Sequence, residues 1–235
     1  GRVDTREGGR FDRAVAVGLH EVLIDQFIAR QVAAPNELIL DLDATDDRVH
    51  GRQEGRFFHG YYDNYCFLPL YVFCGEELLV SYLRPANIDG AHHAAAVVKL
   101  LVKKLRAAWP EVPNRQDAPA TIYDAIYCQR GEMANRIKEQ QLGLFADRTS
   151  CSAWWPNQFR LLLASLAYTL MQNIRSHALA GTELAKAQCT TIRLKLFKIG
   201  AVIIHSVRRI RFLLPSACPY RELFVLAAQR LAPSG

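Results

Sequence analysis

A mixed α/β fold is predicted by three features of the sequence. A strand-like run from Glu37 to Asp43 ends in carboxylates. Two β-rich runs follow, separated by Gly75-Glu76, and then a helix-spaced segment from about Gly90 to Trp109. Beyond a Pro/Asn/Asp-rich break at Pro110–Pro119, long helical patterns resume at Thr121–Leu142 and Trp154–Ala178.

The elements read as follows. Phe11–Ala33 has apolar residues at helical spacing (Val15, Leu19, Val22, Leu23, Phe27), and Pro35-Asn36 ends it. Leu38, Leu40 and Leu42 alternate with Ile39, Asp41 and Asp43, which predicts a buried strand. Asp46–Tyr62 is polar and glycine-rich and reads as a loop. Tyr65–Cys74 and Glu77–Leu83 read as a hairpin. Asn87 or Asp89 is the expected cap of the next helix, with Val97, Leu100, Leu101 and Leu105 on its apolar side. Thr182–Leu196 reads as a further helix, Lys198–Leu214 as one or two strands, and Tyr220–Leu231 as a closing helix.

Composition excludes several classes. The chain has 235 residues, half of them hydrophobic, which rules out a disordered chain or a small disulfide scaffold. The six cysteines show no zinc spacing, and without a secretory signal they are expected to be reduced thiols in a cytosol. No apolar run reaches the ~18–20 residues of a membrane helix. A chain beginning at Gly1 is expected to be a fragment or a processed product.

Lys plus Arg total 29 against 23 Asp plus Glu, a net charge of +6. The excess is concentrated: Lys186, Arg193, Lys195, Lys198, Arg208, Arg209 and Arg211 lie in a stretch with no acid. Such a segment fits a polyanionic partner, or simply a solvated basic face.

The chemistry-bearing residues are few. Asp41 and Asp43 share a strand face, and Asp46 and Asp47 follow. Carboxylates at a strand end suit Mg²⁺ or Mn²⁺, although aspartate is also common in turns. Gly51–Tyr62 joins glycines to Arg, His and aromatics; it suits phosphate and base contacts, or an aromatic hairpin. Tyr127, Arg130 and Ala134 share a helix face, whereas Glu132 and Glu139 point elsewhere. The seven histidines form no metal pattern, and no phosphate-binding glycine loop is present. Ser165 and Cys128 lack a His/Asp context for nucleophilic catalysis.

A strand, a hairpin and a helix in that order is how an RNase H-like fold begins. Leu40-Asp-Leu-Asp-Ala-Thr-Asp-Asp, followed by Val49-His-Gly-Arg-Gln-Glu-Gly-Arg-Phe-Phe-His-Gly-Tyr-Tyr, resembles the first catalytic block of bacterial insertion-sequence DDE transposases, in particular the "thirteen-eighty" insertion-sequence family. Tyr127-Cys-Gln-Arg-Gly-Glu-Met-Ala-Asn-Arg-Ile-Lys-Glu-Gln-Gln resembles that family's third block. Gly181-Thr-Glu-Leu-Ala-Lys-Ala-Gln-Cys-Thr-Thr-Ile-Arg-Leu-Lys resembles its C-terminal region.

The resemblance implies an RNase H-like core, a mixed sheet with flanking helices, in which three carboxylates hold two Mg²⁺ (or Mn²⁺) ions that cut and join DNA at terminal inverted repeats. By position Asp43 matches the first catalytic aspartate and metal ligand. Tyr127 and Arg130 match the Tyr and Arg of the Tyr-x2-Arg-x3-Glu-x6-Lys signature. The signature glutamate falls at Ala134 and its lysine at Gln141. The strand carrying the second aspartate, and the insertion domain that follows it, have no counterpart between Trp109 and the third block. Asp117 is not carried over, because no strand precedes it. Loss of a central strand is expected to leave an unfilled slot in the sheet.

The expected organisation is therefore 1–36 a helical lead-in left from an N-terminal region, 37–114 the first half of the core, and 115–235 its helical second half with a basic C-terminal region. The expected activity is that of a DDE transposase, impaired in this chain. The alternatives are a non-catalytic DNA- or transposase-binding regulator and a decayed relic. Expected partners are terminal-repeat DNA, contacted by Arg193, Lys195, Lys198, Arg208, Arg209 and Arg211, and full-length transposase. An oligomer is compatible with this reading, a membrane is not, and the expected location is the bacterial cytoplasm at the nucleoid.

Overall fold

The computed structural model describes residues 12–110 and 130–232. These fall into two compact units, Gly1–Ala167 and Tyr168–Gly235.

In the first unit, helix α1 (Arg13–Ala29) is capped by Asp12, whose carboxylate accepts from the Ala14 and Val15 backbone N–H groups. Its buried stripe is Ala16, Leu23, Ile24 and Phe27. Val15 and Val22, expected on the apolar side, are exposed. Strand β1 (Leu40–Ala44) pairs with β5 (Leu70–Cys74), which pairs with β6 (Glu77–Tyr82) around the turn at Gly75, whose φ is +58°. The resulting antiparallel sheet has the order β1-β5-β6.

Leu40 and Leu42 lean into a core made by Val72, Ile24 and Phe27 of α1, and Leu101 and Leu105 of α2 (Ala94–Ala108). Phe73 pairs with Leu78 and Val72 with Val80, so Leu79 is the extra residue of a bulge. The bulge turns both Leu79 and Val80 into that same core. The opposite face of β1 carries Asp41 and Asp43. Helix α3 (Arg130–Lys138), continued by a π turn at Glu139–Gly143, also packs against β1.

A second sheet has the order β2-β4-β3, from Asp47–Arg48, Asn64–Phe67 and Phe57–His59. This corrects the loop expected at Asp46–Tyr62. It also divides the single run expected at Tyr65–Cys74. Pro69 has no N–H to give a ladder, and the chain changes sheets there. Leu68 N donates to the Arg84 carbonyl at 2.8 Å, and Arg84 Nε donates to the Leu68 carbonyl at 2.9 Å, which ties the crossover down.

Two other expectations are corrected in α2. His93, with φ +67°, precedes its first residue, while Asp89 instead accepts from Ala91 N in the turn before. Leu100 is exposed.

Helix α4 starts at Trp154 and runs to Asn173, with a π turn over Ile174–Ala178. Within the first unit, its Gln158 amide accepts from Leu83 N and donates to the Ser81 carbonyl. Ser165, set aside as a nucleophile, shares a 2.6 Å hydrogen bond with Ser81 in the interior.

The second unit contains helix α5 (Cys189–Ile192), extended by a π turn to Phe197. It also contains strands β7 (Val202–His205) and β8 (Ile210–Leu213) and helix α6 (Arg221–Leu231). The expected helix at Thr182–Leu196 is thus confined to its last part; Thr182–Lys186 forms turns, with Thr182 Oγ1 bonded back to the Leu179 carbonyl. The one or two strands expected in Lys198–Leu214 are two, paired as a hairpin. Among the described residues no helix is long and apolar enough to cross a membrane, and the five described cysteines are free.

Candidate functional site

The carboxylates of the first block gather where β1 ends. Asp43 accepts from Ala44 N at 2.9 Å, a local bond that holds the side chain beside the strand terminus. Asp46 accepts from the Asn64 amide at 3.2 Å, and that same amide nitrogen donates to the Tyr62 carbonyl at 2.9 Å. The Tyr62 phenol donates to the Ala44 carbonyl at 3.4 Å. Burial raises the Tyr62 pKa, and the negative charges of Asp46 and Asp43 raise it further.

Asp41 and Asp47 have other roles. Asp41 is buried, and its charge adds to the burial that pushes the Cys74 thiol up to about 11. Asp47 is only 1 % exposed. Its Oδ2 accepts from Thr149 Oγ1 at 2.7 Å, and its Oδ1 has no partner. Burial pushes its carboxyl up to about 7, against the Thr149 hydrogen bond and with help from Asp147 and Asp46.

The third block comes to the same place. Gln141, in the π turn after α3, donates from Nε2 to the Asp46 carbonyl at 3.1 Å. Arg136 reaches the Gly75 carbonyl, and Met133 and Ile137 are buried. Ala134, half-buried on the same helix, brings no carboxylate. Arg130 opens α3. Tyr127, Cys128 and Asp117 lie outside the described residues.

The family described as transposase DDE domain group 1 matches this chain over residues 2–118 and 112–235. The chain belongs to the DDE transposases. No curated protein and no solved structure matches it. In this transposase α3 thus packs on β1, and the turn that follows it reaches the Asp46 backbone just beyond the strand's end.

A two-metal centre needs at least three oxygen-donor side chains to bridge its ions. Among the described residues of this transposase no group of three or more His, Cys, Asp and Glu is gathered to hold a metal. Asp43 and Asp46 are two carboxylates, the second already held by Asn64, and Ala134 adds none. The described donors do not fit the two-ion centre, and no reaction step follows from them.

Sequence reasoning missed Tyr62, Asn64, Thr149 and Gln141. Only Gln141 carried a signal, since it stands where the family signature has its lysine. The Gly51–Tyr62 stretch forms the aromatic hairpin of the two readings: Phe58 meets Tyr65 edge-on at 5.6 Å, and the Arg56 guanidinium lies 4.6 Å from the Tyr65 ring.

The basic candidates separate into two groups. Arg193 and Lys195 are half-buried on the α5 extension, and Lys195 Nζ lies 4.7 Å over the Tyr220 ring. Lys198, Arg208, Arg209 and Arg211 are exposed, the last three on the β7–β8 hairpin.

Proposed function

We propose that this transposase is the core of an insertion-sequence enzyme that binds DNA at terminal inverted repeats but is impaired in cutting and joining it. The observation that carries this reading is the Gln141–Asp46 contact: the first and third blocks remain docked although Ala134 occupies the glutamate position. An RNase H-like core also accounts for the order β1-β5-β6, with α2 following β6. Among the described residues β1 pairs on one side only. In such a core the next strand belongs on its other side, and that is the strand with no counterpart here. The family match comes in two segments that overlap at 112–118, the same stretch of chain.

In this reading Asp43 is the surviving ligand for Mg²⁺ or Mn²⁺, and Tyr127 and Arg130 steady a phosphate. The metals of DDE transposases stabilise the attacking and leaving oxygens. One family carboxylate is too few for that role. The 1–36, 37–114 and 115–235 segments are then a lead-in, the first half of the core, and its second half with a basic tail. The work place is the bacterial cytoplasm at the nucleoid, and an oligomer with full-length transposase is compatible with it.

Incubation of the chain with terminal-repeat DNA in Mn²⁺ is expected to give no strand cleavage. Cleavage that disappears in Asp43→Ala would overturn the impairment.

A second reading, a non-catalytic regulator that occupies element ends or full-length transposase, is favoured by the exposed arginines of the hairpin. It predicts a gel shift stronger on terminal repeats than on scrambled DNA, because phosphate contacts alone carry no sequence information. Equal shifts on both would count against it.

A further inference from the structure

The β7–β8 hairpin is built to touch something. Its pairs are Val202↔Leu213, Ile203↔Phe212, Ile204↔Arg211 and His205↔Ile210. One face therefore carries Ile203, His205, Ile210 and Phe212, and the other Val202, Ile204, Arg211 and Leu213. All eight residues are exposed. Val207 in the turn is 101 % exposed and is followed by Arg208 and Arg209. A two-stranded ribbon with no covered face is marginal in water and leaves two open edges.

Charge decides what covers it. Among the described residues no carboxylate lies within ion-pair distance of Arg208, Arg209 or Arg211. The sequence has no Asp or Glu between Glu183 and Glu222. Two copies of the ribbon joined antiparallel through β8 would bring like-charged Arg211 residues together, which is unfavourable. A polyanion has the opposite charge. A two-stranded ribbon also fits the width of a duplex groove.

We propose that the β7–β8 hairpin is an arm laid into the major groove of duplex DNA, with Arg208, Arg209 and Arg211 on backbone phosphates and Ile204 and Leu213, which share the Arg211 face, against sugars and base edges. The inference rests on the transposase reading for its partner and goes beyond it in the mode of contact. The arm, and not the α5 extension, carries the charge–phosphate contacts, because Lys195 is already occupied by Tyr220.

The test is fluorescence anisotropy of the 235-residue chain with a labelled duplex across a salt series. The R208A/R209A/R211A variant is expected to lower the slope of log affinity against log salt by about 2.7, at roughly 0.9 per phosphate contact. The corresponding triple lysine variant is expected to restore it, which separates lost charge from lost folding. Leu213→Ala is expected to weaken binding with the slope unchanged.

If the parent chain binds and the triple alanine variant keeps its slope, the arm is not the contact and this inference falls while the transposase reading stands. If Leu213→Asp splits a dimer and leaves DNA binding intact, the ribbon joins two copies and the inference falls as well. If the parent chain does not bind duplex DNA at all, the DNA-binding claim of the transposase reading fails and takes this inference with it.

Discussion

Gln141 donates from its side-chain amide to the backbone carbonyl of Asp46 at 3.1 Å, across 95 residues of sequence. The contact fixes the third-block helix against the end of β1. It uses the backbone of the aspartate, so the Asp46 carboxylate stays with Asn64.

Gln141→Leu removes this hydrogen bond and leaves a part-buried carbonyl without its donor. The cost is expected to be about 1 kcal/mol of folding stability. Urea unfolding of the two proteins gives the difference; equal midpoints would mean the contact carries no stability.

Asp47 makes stability fall as pH rises. Its carboxyl is held up to about 7 in the fold against an ordinary value of 3.8. Between those values the folded protein binds more protons than the unfolded chain, so stability declines across that window and levels off above it. At roughly 1.4 kcal/mol per pKa unit the effect is on the order of a few kcal/mol. Asp47→Asn, which keeps the shape without the charge, is expected to flatten the dependence of Tm on pH between 4 and 7. An identical slope in the variant would assign the dependence to other groups.

Gly55 is fixed by Trp154. Its φ is +80°, and a Cβ there would stand 2.4 Å from the indole ring. The indole packs edge-on against Phe67 at 5.6 Å, and Glu54 accepts from Trp154 N, so the ring has little room to move. Gly55→Ala is expected to cost about 2 kcal/mol or more from strain and overpacking together. Thermal unfolding with near-ultraviolet circular dichroism reads both the loss and the displaced tryptophan. An unchanged Tm would show that the two segments part easily.

Much of this fold was legible, and the failures share a cause. β1 ending in carboxylates, the Gly75 turn and strand structure in Lys198–Leu214 all follow from local pattern. Asp47–Arg48 and Phe57–His59 are too short to show a period, so they read as loop. Leu100 and Val22 are expected on the apolar stripes beside Leu101 and Leu23, but tertiary packing buries only the latter two. The sequence also shows Ala134 where the family signature has its glutamate. It did not reveal the Tyr62 bond to the Ala44 carbonyl or the Thr149 bond to Asp47, because those partners are 18 and 102 residues away.

The most direct test of the central claim is thermal unfolding of the chain with and without Mn²⁺. A ligand that binds only the folded state at 100 times its Kd adds about 2.7 kcal/mol. For a chain of this size that raises Tm by roughly 5–10 °C. A transposase core that keeps its first and third blocks docked but retains Asp43 alone of the three catalytic carboxylates should unfold cooperatively at the same Tm in both conditions. An upward shift in Mn²⁺ that vanishes in Asp43→Ala would contradict this and show that the metal centre survives.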